Sequence, residues 1–247
     1  MKRLTVISRL LGLIIPICLI FLVSMAWGED LLSQGLAAQK AGKNAAAVEL
    51  LGKYVKDHPD AAAARRGLAL ALSALGRKTE ALAALEPALA SSPKDTLLLL
   101  TKGKILGELE RRPEAVAVFF QVLALDPKNV EALKERGDNL AQEGRFDEAL
   151  QDYDRAGALA PKDPWLFQKR GMAKFCQGKY PEAVADLGTA IKLAPDSPLF
   201  YFCRGQIYLL HLHQQDKAVA DFQKGCSLGH PLCCRELEKM GIKPNYN

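Results

Sequence analysis

The sequence is poor in the signals that mark catalysis. It holds no Cys-x-x-Cys pair, no cysteine or histidine spacing that suits a common zinc site, no nucleotide loop, no serine–histidine–aspartate order and no isolated carboxylate pair. These absences argue against metal, dithiol, nucleotide and hydrolase chemistry, so no cofactor and no catalytic residue is expected. Val, Ile and Thr are sparse beyond the N-terminus, while Ala and Leu are plentiful. That balance favours helix, because Ala and Leu lose little side-chain freedom in one.

A strong charge balance is missing too. The chain carries a net +5, and residues 1–28 hold Lys2, Arg3 and Arg9 with no acidic residue, which leaves +2 on the remainder. A near-neutral body gives no support for nucleic-acid binding. One long uncharged stretch exists, Leu10 to Gly28, with its apolar part at Leu10–Val23. It follows the basic start and precedes small residues at Ser24, Ala26 and Gly28. This is the layout of a secretory signal peptide, with cleavage expected after Ala26 or Gly28. The stretch is short for a spanning helix and Pro16 interrupts it, and an uncleaved membrane anchor is the second reading. The body is therefore expected in the bacterial periplasm or secreted, or else anchored in the inner membrane facing the periplasm. Ile-Pro-Ile before Cys18 lacks the small residue that a lipid-anchor site wants.

What the sequence does have is a period. Pro59, Pro93, Pro127, Pro161 and Pro195 stand 34 residues apart. Gly35, Ala69, Gly103, Gly137, Gly171 and Gly205 keep the same step, as do Ala47, Ala81, Ala115, Ala149 and Ala183. Ala218 comes one residue late. A small residue midway along one helix lets a second helix approach, and an alanine on the second does the same from the other side. The proline stops the second helix. Gly42, Gly76, Gly144 and Gly178 mark turns between helices, where the left-handed conformation closes a helix.

Segments such as "GRFDEALQDYDRAGALAP" and "GKYPEAVADLGTAIKLAP" resemble the tetratricopeptide repeat (TPR) family. The resemblance runs through six units, 28–61, 62–95, 96–129, 130–163, 164–197 and a modified 198–231. It implies an all-α fold, an α-solenoid of antiparallel helix pairs over residues 29–231. Repeat six has an extra residue near 210–215 and a late closing Pro231, so a bulged loop is expected. Residues 232–240 should form a capping helix, with Gly241 and Pro244 ending it.

Arg136, Arg170 and Arg204 occupy one position of the first helix in repeats four to six, and Asp152, Asp186 and Asp221 one position of the second. Repeats one and two have neither, with Gln34 and Leu68 against Leu50 and Ala84. The two charges appear and vanish together, which predicts ion pairs that support the stack. "GCSLGHPLCCREL" resembles cysteine-bearing Sel1-like units, a likeness that implies a Cys226–Cys234 bridge, with Cys226–Cys233 as the alternative. Cys176, Cys203 and one more cysteine are left over, and the five cysteines beyond the signal segment cannot all pair. His211 and His213 lie two apart and share no helix face, with His230 further on; they read as loop histidines.

In the TPR family the first helices line a groove. Carried onto this sequence, the groove positions are Lys104, Glu108, Glu131, Lys134, Asp138 and Gln142, then Trp165, Gln168, Met172, Phe175, Phe202, Gln206 and Leu209. The groove is thus expected to be charged in the middle and apolar near its C-terminal end. Asp138 stands where a carboxylate clamp wants asparagine, so no clamp for a chaperone tail is expected. The resemblance implies a non-enzymatic scaffold for a protein or peptide partner. The alternative is an assembly factor or chaperone-like helper for an envelope complex.

Overall fold

The computed structural model describes residues 30–243. The signal-peptide expectation, and Pro244 with the tail behind it, lie outside these residues. Among the described residues every regular element is a helix, and the chain divides into two units, one up to Glu110 and one from Arg111 on.

In the first unit α1 (residues 30–40) and α2 (Asn44–Asp57) are followed by α3 (Ala62–Ala74), α4 (Lys78–Ser91) and α5 (Thr96–Glu108). The second unit holds α6 (Arg112–Leu125), α7 (Val130–Gln142), α8 (Phe146–Leu159), α9 (Pro164–Cys176), α10 (Tyr180–Leu193), α11 (Pro198–Leu210), α12 (Gln215–Ser227) and α13 (Pro231–Lys239). The boundary between units falls inside the third 34-residue repeat, between its two helices.

Starts and stops recur with the repeat. Asp95, Asn129 and Asp163 cap the N-termini of α5, α7 and α9, accepting bonds from backbone N–H groups that have no partner within the helix. The turns inside the pairs use Gly42, Gly76, Gly144 and Gly178 at φ of 71–78°. In repeat three the same conformation falls on Glu110 at φ 60°.

The short turns make the helices of a pair antiparallel, and their flanks meet at the small residues. Ala47, Ala81, Ala115, Ala149, Ala183 and Ala218 are all fully buried. A Cβ added to Gly137 would come within 2.7 Å of the Tyr153 ring, which shows how tightly α8 lies on α7. The fold is all-α, with stacked helix pairs of the α-solenoid class in each unit.

The sixth repeat departs where expected. Its inter-helix turn, 211–214, is one residue longer than 177–179, and His213 takes φ 52° to close it. Pro231 needs a correction. It does not close repeat six; it opens α13 at a first-turn position, where its missing N–H costs nothing. Gly229, at φ 86°, follows the end of α12 instead.

Candidate partner-binding groove

Each arginine of the ladder reaches from a first helix to the second helix of its own repeat. Arg136 donates two bonds to Asp152, both 2.7 Å. Arg170 reaches Asp186 at 2.8 and 2.5 Å, and Arg204 reaches Asp221 at 2.8 and 2.7 Å. All three carboxylates are buried. Hydrogen bonds donated to Asp186 and Asp221 raise the guanidinium pKa of Arg170 and Arg204, against the opposing effect of burial. The cations also touch the preceding repeat at a point sixteen residues back. Arg170 donates to Asp154 at 2.8 Å, Arg136 lies 6.0 Å over the Phe120 ring, and Lys102 pairs with Glu86 at 3.1 Å. Arg136 and Arg170 are thus held from two sides, and the ladder ties the helices of each pair together.

The charged groove positions are also occupied. Lys134 pairs with Asp163 at 2.9 Å, and Asp163 is itself the cap of α9. Asp138 accepts from the Tyr153 hydroxyl at 2.7 Å and pairs with Lys169 of α9. Burial beside Asp138 pushes the Tyr153 hydroxyl pKa upward, so it stays a donor. Gln142 accepts from Arg112 at 2.8 Å. In the first unit Glu108 accepts from Ser73 at 2.7 Å. Lys104 and Glu131 also have partners within the protein. The middle of the groove is charged, as expected, and Lys134 and Asp138 also tie α7 to α9.

The apolar positions behave differently. Met172, Phe175, Phe202 and Gln206 come together with Cys203, Ile207, Leu210 and His211 around an open hollow of about 260 Å³ between α9 and α11. No charged side chain lines it. Its walls are the margins of two buried clusters. One is Ala183, Leu187 and Ile207, against which Phe175 and Cys203 pack. The other is Ala218, Phe222, Cys226, Cys233, Cys234 and Leu237, against which Phe202 and Leu209 pack. Gln168 is not in the lining; burial pushes the Cys203 thiol pKa up to about 11, against a lowering influence of Gln168. Trp165 is not in the lining. It meets Phe200 edge-on at 4.9 Å and leaves 47% of its surface exposed.

The sequence reading missed four lining residues, one of them Cys203, next to Phe202. His211 stacks on Tyr180 at 4.3 Å and meets Phe175 edge-on at 5.1 Å, so it is part of the wall rather than a chance loop histidine. Ile207 and Leu210 lie one and four residues beyond Gln206, and the stacking of α11 beside α9 in successive repeats brings them to the hollow with Met172 and Phe175. The aromatic spacing of α11 was the available signal.

Behind the hollow lies the C-terminal cap. Cys226 of α12 and Cys234 of α13 form a disulfide with Cα atoms 4.9 Å apart. Cys176, Cys203 and Cys233 are thiols. Cys233 is fully buried, and burial pushes its pKa up to about 12. His230, the residue before α13, stacks on Phe202 at 4.9 Å, and burial lowers its pKa.

The comparisons agree with this architecture. The Tetratricopeptide repeat family model matches residues 32–96 and 100–164, and a TPR repeat model matches 171–211. No curated protein matches the chain by sequence. Among solved structures, MamA 41-end from Desulfovibrio magneticus RS-1 is similar at a TM-score of 0.63 and 23% identity, over 66% of this chain and 92% of that one. YrrB, described as a TPR protein with an unusual peptide-binding site, is similar at 0.62 and 20% identity, over 78% of this chain and 99% of that one. At such identities the likeness is one of fold. The matched residues end at 211, so the Sel1-like character of the C-terminal end rests on its cysteines alone. With repeat matches covering most of the described helices, the chain belongs to the tetratricopeptide repeat family.

Proposed function

We propose that this chain is a non-enzymatic scaffold that holds a partner protein or peptide, and that the α9–α11 hollow is the anchor point for an apolar side chain of that partner. One contrast carries this reading. Lys134 and Asp138 are engaged by ion pairs within the protein, whereas the hollow keeps open, mostly apolar walls. At about 260 Å³ the hollow has room for a large apolar side chain. Aromatic and Met walls suit such an anchor, because they bury much area at modest entropy cost. The peptide site named for YrrB supports the same use of this fold.

Export to the periplasm or beyond remains part of the proposal. The N-terminal charge and apolar pattern supports it, and the Cys226–Cys234 bridge suits an oxidising compartment. An assembly factor for an envelope complex would use the same hollow with one dedicated client. The test is in-cell photo-crosslinking from Gln206, with exposed Lys192 of α10 as the control position. A discrete partner captured from Gln206, absent from Lys192 and lost with Met172→Glu, is the expected outcome. Equal capture from both positions would remove the hollow from consideration.

A further inference from the structure

The wall of the hollow and the C-terminal cap share one side chain. Phe202 faces the hollow with Met172 and Phe175, and it packs against the cluster formed by α12 and α13. The His230 ring lies on it at 4.9 Å, 25° from parallel. His230 belongs to the turn that the Cys226–Cys234 bridge closes, a separation of 8 residues. Its backbone N–H donates to the Gly225 carbonyl at 3.0 Å, so the turn is fixed to the end of α12.

The element beyond the turn is poorly equipped to hold itself. α13 has 9 residues, below the length at which an isolated helix is stable in water. It is held by its contact with α12, by Cys233 and Leu237 in the buried cluster, and by the bridge. The Cys233 sulfur sits so close to Gly225 that a Cβ there would lie 2.5 Å from it. That thiol is therefore sealed under the docked helix.

We infer that the Cys226–Cys234 bridge is a redox control on the α9–α11 hollow: reduction releases α13, withdraws His230 from Phe202 and loosens the wall that Phe202 forms. A dithiol reductant supplies the two electrons and two protons. The S–S bond breaks, Cys226 and Cys234 become thiols, and the reductant leaves as its own disulfide. Reoxidation by a disulfide of the same class reverses the step. The regulatory meaning rests on the hollow being the partner anchor, whereas the coupling of bridge to hollow does not.

The three thiols among the described residues report on three places. Cys176 is exposed at the end of α9, Cys203 lines the hollow, and Cys233 lies under α13. The experiment measures N-ethylmaleimide modification of each cysteine by mass spectrometry in the full chain. It compares the oxidised protein with Cys226→Ser/Cys234→Ser, and with wild type treated with dithiothreitol and then reoxidised. In the double variant Cys233 and Cys203 should both react about tenfold faster or more, with Cys176 unchanged, as local opening of the cap requires. Dithiothreitol should accelerate Cys203 likewise, and reoxidation should restore its slow rate, which separates a switch from a misfolded variant. Acceleration of Cys233 alone would overturn the inference, as would no acceleration of either. If Cys203 accelerates while Gln206 captures no partner, the coupling stands and the proposed function falls.

Discussion

Asp152 shows how far a single side chain can be read from its neighbours in sequence. Its pairing with Arg136 was legible because the two charges come and go together across the repeats. The geometry adds the cost of breaking it. Asp152 is 1% exposed, and its removal leaves a guanidinium with little water around it. Asp152→Ala should destabilise the protein by about 2–3 kcal/mol, below the figure for a fully buried pair because Arg136 keeps a solvent edge. Replacing both partners, Arg136→Met with Asp152→Leu, should cost clearly less, since no buried charge is stranded. Urea melts of the two variants check this, and equal losses would mean that lost packing dominates. Asp138 marks the limit of the same reasoning. Its place in the repeat was plain, but its bonds to Tyr153 and to Lys169 of the following repeat depend on how helices approach.

Among the elements, the helix pairs were almost fully legible because small residues, prolines and turn glycines act locally. The exceptions are places where a different residue does the same work. Glu110 takes the left-handed turn that glycine takes in four other repeats, and Gly229 ends α12 where a proline was expected. The cap α13 yields a pH prediction. Burial lowers the His230 pKa below its ordinary 6.5. The folded protein therefore holds its neutral ring, and protonation favours release. The stacking contribution is present above about pH 6.5 and is lost as pH falls through the folded pKa. Amide exchange in α13 should thus be faster at pH 5 than at pH 7.5 after correction for intrinsic rates. His230→Phe, which keeps a ring against Phe202, should abolish the difference. Persistence of the effect in that variant would assign it to another group.

For the whole molecule, α13 matters because a stack of repeats ends on an apolar face. A chain ending at Ser227 with Cys226→Ser would expose Phe222 and lose the cover that Leu237 and Cys233 provide. Such a chain should self-associate at concentrations where the intact protein does not, as read by light scattering. A monodisperse truncated protein would mean that α13 is dispensable as a cap.

The 34-residue period by itself determined the fold class, the helix pairs and the ladder positions, because each rests on steric rules that act within a turn or between adjacent helices. Only the tertiary structure decided which groove positions have partners within the protein. Lys134 and Asp138 are spent on α9, while Met172, Phe175, Phe202 and Gln206 meet across a gap. The physical reason is that satisfaction of a polar group depends on partners some thirty residues away, and no local pattern encodes that distance. The same holds for Phe202, which joins the hollow to the cap only because α11 lies between α9 and the bridged end of the chain.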